Sequence, residues 1–130
     1  VVGHANPGKS SVVSTLACDD SVRIGPLPGT TQRCRSFPLR VNEKTLYTLI
    51  DTPGFERPRQ MITWLRSQQT STADRRETVE KFLQLHRDSQ QFHAECELLR
   101  PILDGAAILY VVDGSKPPSS MNEAEMEVLR

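Results

Sequence analysis

The sequence predicts an α/β domain built on a mixed, mostly parallel sheet, and three observations carry that prediction. A glycine-rich loop, Gly3-His4-Ala5-Asn6-Pro7-Gly8-Lys9-Ser10, lies between the apolar pair Val1-Val2 and a stretch of helical periodicity. A β-prone run, Thr45 to Ile50, ends abruptly at Asp51-Thr52-Pro53-Gly54. The most hydrophobic run, Ala106 to Val112, is unbroken and ends at Asp113-Gly114. In open α/β sheets ligands bind outside the carboxyl ends of the strands, where the loop and Asp51 both fall.

In chain order, Val1-Val2 is the end of a strand and the loop follows it. Val12, Val13, Leu16 and Ala17 then form an apolar stripe at helical spacing, with Ser11, Ser14 and Thr15 on other faces. The helix ends near Cys18-Asp19-Asp20. Ser21 to Ser36 has loop chemistry, with Gly25-Pro26-Leu27-Pro28-Gly29 ahead of Thr30-Thr31. Phe37 to Val41 and Thr45 to Ile50 flank Asn42-Glu43-Lys44, which reads as a hairpin turn. Residues 55 to 104 are mostly helical. Met61, Ile62, Trp64 and Leu65 mark one short helix, and Ser71 with Asp74 resembles a capping box opening the next. Val79, Phe82, Leu83 and His86 share one face, followed by Phe92, Cys96 and Leu99, with a break at Asp88-Ser89. Charges of alternating sign make this region a solvated helical hairpin packed on the core. Ala106 to Val112 reads as a central parallel strand buried on both faces. Pro117-Pro118 precede a final helix from about Met121.

Composition limits the partners. The 130 residues suffice for one domain with a real core, and 16 basic residues balance 16 acidic ones. Charge therefore gives no reason to expect nucleic acid or a membrane as an electrostatic partner. Cys18, Cys34 and Cys96 lack C-x-x-C spacing and read as reduced thiols of a cytoplasmic protein. His4, His86 and His93 are too scattered to suggest a metal site. Val1 and the polar stretch Ser119 to Arg130 read as cut edges, so the chain is expected to be a piece of a longer protein.

The loop fits G-x-x-x-x-G-K-[ST], a phosphate cradle. Its glycines let successive N–H groups face one concavity, and the following helix adds its positive dipole end. Lys9 reaches the terminal phosphates and the Ser10 hydroxyl serves Mg²⁺. Asp51, at a strand end, can hold the water shell of the same ion. Gly54 offers an unobstructed backbone N–H to a terminal phosphate.

Gly3–Ser10, Pro28-Gly29-Thr30-Thr31 and Asp51–Gly54, in this order and spacing, resemble the first three G motifs of translation-factor-class GTPases. The resemblance is nearest to the Era, TrmE and EngA branch and spans nearly the whole chain. The helical stretch and the Val-Val-Asp-Gly strand end are similar to bacterial GTPases that carry a C-terminal domain of unknown function. The resemblance implies a three-layer P-loop fold, here a truncated G domain over 1–130 with a helical insert at about 56–104. It implies GTP or GDP and Mg²⁺ as cofactors. Gly3, His4, Ala5, Asn6, Pro7, Gly8, Lys9, Ser10 and Ser11 then hold phosphate, with Thr31, Asp51 and Gly54. Ser10, Thr31 and Asp51 serve the metal, Thr31 being the switch I threonine and Thr30 its alternative by one register step. Asp51 and Gly54 open switch II. Lys9, Thr31, Gly54 and Asn6 are the expected catalytic set.

Phe55 stands where many small GTPases carry the glutamine that orients attacking water. Some members of the resembling branch use a different device, a K⁺ ion coordinated by an asparagine of the phosphate loop together with a second element in switch I, and Asn6 stands at that asparagine's position. Gln32 replaces an arginine frequent in the branch. The base-reading Asn-Lys-x-Asp motif is expected beyond Arg130, so guanine specificity comes from the resemblance. The leading function is a Mg²⁺-dependent GTPase switch; the alternatives are a binding-only nucleotide module and another P-loop enzyme, an ATPase or nucleotide kinase. Ribosome, RNA or membrane partners, and a cytoplasmic location that extends to the membrane periphery, are implied by the branch alone.

Overall fold

The computed structural model describes residues 1–5, 8–17, 31–68, 74–117 and 119–130. Helix α1 (Lys9–Ala17) is followed by strands β1 (Arg35–Val41) and β2 (Lys44–Asp51). Helices α2 (Pro58–Gln68), α3 (Arg75–Leu85) and α4 (His93–Leu103) come next, and α5 (Ser120–Val128) closes the chain.

β1 and β2 form an antiparallel hairpin with Val41 paired to Lys44. The turn is therefore Asn42-Glu43, with φ of 49° and 62°. Two positive φ values make a two-residue type I′ turn, whose twist matches the strands and draws Lys44 into β2 rather than the turn.

The parallel part of the sheet is reduced to single bridges. Val2 donates to Leu109 O and accepts from Val111 N, both at 2.9 Å, in a parallel bridge to Tyr110. On its other side Gly3 O accepts from Phe55 N at 3.1 Å, and Ala5 N donates to Phe55 O at 3.3 Å. The segment before the loop thus lies between the continuation of β2 and residues 109–111.

The expectation of a central strand buried on both faces at Ala106–Val112 is corrected here. Ile108, Leu109 and Val112 are 40%, 42% and 57% exposed. The run is paired along one edge, to Val2, and among the described residues these side chains are only partly covered. An apolar run is buried only as far as neighbours exist to bury it.

Two apolar clusters fix the helices. Beneath α1, Val1 and Val13 pack with Phe37, Leu49 and Val111. Only Val13 of the expected α1 stripe is buried, and Leu16 is exposed. The larger cluster joins Phe55, Met61, Leu65, Phe82, Phe92, Leu98 and Val128 across α2 to α5. Pro58 opens α2, where its missing N–H costs nothing. Ser71 lies outside the described residues, while Asp74 stands at the N-cap of α3. The chain breaks at Ser89, whose side chain accepts from Gln91 N ahead of a short 3₁₀ turn, Gln90–Phe92. Ser119 caps α5 in a reciprocal box with Asn122, which starts that helix one residue before Met121.

Cys34 and Cys96 are free, and burial pushes both thiols up to about 11. At pH 8 about one in a thousand of either is thiolate, against roughly a quarter of an ordinary cysteine. Iodoacetamide at pH 8 is therefore expected to label both far more slowly in the native protein than after unfolding; equal rates by mass spectrometry would contradict this burial. Among the described residues no helix is long and apolar enough to cross a membrane.

Candidate functional site

The bridges that hold Val1–Ala5 between Phe55 and Val111 bring the glycine loop, the end of β2 and the start of α1 together. Close approach explains two glycines. A Cβ on Gly3 would lie 2.4 Å from Val111 O, and the residue's φ is +147°. A Cβ on Gly54 would lie 2.4 Å from Ala5 Cα and 2.5 Å from Ala5 N. Backbone meets backbone at both points, so no side chain can move aside.

Three of the residues expected at the metal converge. Ser10 Oγ donates to Asp51 Oδ2 at 2.9 Å, and Thr31 Oγ1 donates to the same oxygen at 3.2 Å. The two hydroxyl oxygens are 3.3 Å apart. Asp51 is buried, and its Oδ1 has no hydrogen-bond partner among the described residues. A buried carboxylate oxygen without a donor is costly, and a hard cation or its water shell meets that need. Two hydroxyls and one carboxylate are an all-oxygen set of the kind Mg²⁺ takes beside substrate phosphates. Among the described residues no cluster of three or more His, Cys, Asp or Glu side chains offers a competing metal site.

Lys9 is buried, and its Nζ donates to His4 O at 2.5 Å, folding the side chain back over its own loop. Burial lowers its pKa, with the charges of Asp51 and Glu125 opposing that shift. A cleft of about 730 Å³ opens beside the loop, lined in part by His4, Gly8, Lys9, Asp113, Lys116 and Asn122. That volume is within the usual range of small-molecule sites. Ser11 sits half-buried in the first turn of α1. Asn6, Pro7 and Thr30 lie outside the described residues.

Phe55 is 0% exposed, with its ring in the larger core cluster. Its backbone N–H and C=O are both engaged by the loop segment. It fastens the loop to the end of β2 and presents nothing to water.

Sequence reasoning missed two buried carboxylates. Glu125, on α5, is 0% exposed; its Oε1 is 2.7 Å from His4 Nδ1, and its Oε2 accepts from Tyr110 OH at 2.8 Å. Glu95, on α4, is also fully buried and accepts from the backbone N–H groups of Glu56 and Arg57. Helical register carried the signal. Glu125 shares a face with Ala124 and Val128, and Glu95 with Phe92, Cys96 and Leu99, so both stand where apolar side chains are expected.

Comparison with known proteins follows the same lines. The chain matches the family described as 50S ribosome-binding GTPase over residues 1–129. It is 31% identical over 113 residues to GTPase Der of Marinomonas sp. (strain MWYL1), covering 87% of this chain and 20% of that protein. Shorter matches reach 40% identity over 57 residues with GTPase Der of Aquifex aeolicus (strain VF5), covering 44% of this chain and 13% of the relative. With GTPase Der of Herminiimonas arsenicoxydans the identity is 46% over 57 residues, covering 44% and 12%. The chain thus spans a fifth or less of the length of these relatives. No solved structure matches it. With the family match running over nearly its whole length, the chain belongs to the family of 50S ribosome-binding GTPases.

Proposed function

We propose that this chain forms the phosphate- and Mg²⁺-binding part of a GTP site, in a protein that switches by hydrolysing GTP to GDP and phosphate. The observation that carries it is the meeting of Ser10, Thr31 and Asp51 around one buried carboxylate oxygen, with Asp51 Oδ1 left without a donor. Bound there, Mg²⁺ would neutralise charge on the β- and γ-phosphates. The chain's own groups do the rest. Lys9 exchanges the carbonyl of His4 for phosphate oxygens, and the N–H groups at the start of α1 face the same anion. Gly54, pressed against Ala5, would offer its N–H to the terminal phosphate. Thr31 closes the site, and loss of γ-phosphate frees both Thr31 and Gly54.

The binding-only module and the ATPase stand as alternatives, and one assay separates them. Full-length protein is titrated with a fluorescent GTP analogue in Mg²⁺, with ATP as competitor and single-turnover hydrolysis as a second readout. GTP-selective binding with hydrolysis faster than free GTP is expected. Equal competition by ATP would favour the ATPase, and hydrolysis at the uncatalysed rate the binding module.

Phe55 is buried and cannot orient water by hydrogen bonding, and we assign to a K⁺ ion held by Asn6 the stabilisation of charge that develops between the β- and γ-phosphates. Hydrolysis is then expected to run several-fold faster in K⁺ than in Na⁺ at equal ionic strength; equal rates overturn the assignment. Phe55→Gln is expected to gain no hydrolysis, because it buries an amide in the core at a cost of about 3 kcal/mol. A faster Phe55→Gln enzyme with unchanged melting temperature would contradict this.

Placement within the Era, TrmE and EngA branch, near GTPases with a C-terminal domain of unknown function, is supported by the α-helices described between Gly54 and Ala106, α2, α3 and α4. On this reading α2 to α4 are an insert in a three-layer G domain. A ribosome partner is supported by the description of the matched family, 50S ribosome-binding GTPase, whereas an RNA or membrane partner rests on the branch likeness alone.

A further inference from the structure

We propose that the first turns of α4 clamp both nucleotide-responsive segments, with Glu95 as the positioning residue that couples the helices to the chain after Gly54. The proposal rests on the GTP-switch reading and names how that site is regulated. Three alternate residues of one helix make the contacts. His93 Nε2 lies 3.1 Å from Gln32 O, immediately after Thr31. Glu97 accepts from Cys34 twice, its backbone O from Sγ at 3.0 Å and its Oε2 from the backbone N at 3.4 Å. Between them, Glu95 Oε1 accepts from Glu56 N at 2.9 Å and from Arg57 N at 2.5 Å, immediately after Gly54-Phe55.

Glu95 is the strong member. It is fully buried on the face that α4 shares with Phe92, Cys96 and Leu99, and its Oε2 has no partner among the described residues. A carboxylate in such a place depends on its donors, because water cannot replace them. A nearby serine or aspartate would cap the start of α2 more cheaply. The distant carboxylate does something a local cap cannot: it makes the position of residues 56–57 and the position of α4 one variable. When the chain after Gly54 moves, α4 must follow or Glu95 is stranded.

Here Thr31 rests on Asp51, and on the GTP-switch reading that closed position of Thr31 is the one a triphosphate holds. The clamp therefore favours the GTP form, and by linkage whatever displaces α4 changes the preference for GTP over GDP. The test measures affinities of full-length protein for GDP and a non-hydrolysable GTP analogue, in the wild type, Glu95→Gln and His93→Ala. Glu95→Gln keeps the shape and removes the charge; His93 is exposed, so its loss spares the core. The analogue-to-GDP affinity ratio is expected to fall about fivefold or more in Glu95→Gln, and about twofold in His93→Ala. If Glu95→Gln does not fold, His93→Ala decides alone. An unchanged ratio, or equal losses for both nucleotides, overturns the clamp and leaves a structural role. A wild type that binds neither nucleotide overturns the GTP reading itself.

Discussion

Gly54→Ala is expected to lose about 3 kcal/mol of stability and at least tenfold in affinity for a GTP analogue. The added methyl would stand 2.4 Å from Ala5 Cα and 2.8 Å from His4 C, against the His4–Ala5 backbone, which cannot repack as a side chain could. The strain is relieved only by moving the end of β2 away from the loop. That movement stretches the Phe55–Gly3 and Ala5–Phe55 hydrogen bonds and turns the Gly54 N–H off its target. Thermal unfolding and nucleotide titration check the two effects separately. A variant that melts early yet binds the analogue within twofold of wild type would show that the close approach serves the fold alone.

Asp51→Asn is expected to weaken Mg²⁺ binding about a hundredfold while leaving the fold intact. The amide oxygen can still accept from Ser10 and Thr31, so the hydroxyls keep their partner. What disappears is the negative charge and the free Oδ1 that a divalent ion requires. Removing one partner of a buried charge pair costs about 3 kcal/mol, which sets the factor. Nucleotide affinity measured across a Mg²⁺ series should shift to higher Mg²⁺ in the variant, with little change in its absence. Identical Mg²⁺ curves would remove Asp51 from the metal site.

Local rules made much of this legible. The hairpin followed from two β-prone runs around a short polar turn, and α2 from the spacing of Met61, Ile62 and Leu65. The glycine loop and Asp51 could be named because phosphate chemistry demands particular residue types at set spacings, while Thr31 could be named only through the resemblance to G-motif GTPases. Two kinds of information were illegible. One is burial that depends on a neighbour: Ala106–Val112 has the composition of a core strand, but composition cannot say whether anything covers it. The other is long-range satisfaction of charge. A glutamate in a helix reads as solvent-facing, and Glu95 and Glu125 escape that rule only because residues 56–57, His4 and Tyr110 arrive to satisfy them.

The bond between His4 and Glu125 spans 121 positions of sequence, and Val2 must wait for Leu109 and Val111. The first residues of the chain are thus its last to be completed. During synthesis at about 5–20 residues per second, the loop leaves the exit tunnel many seconds before α5 exists to steady it. Until then Val2 lacks its backbone partners at Leu109 and Val111 and His4 lacks Glu125, so the segment that leads into the glycine loop gains its full set of contacts only after residues 109–125 have been made.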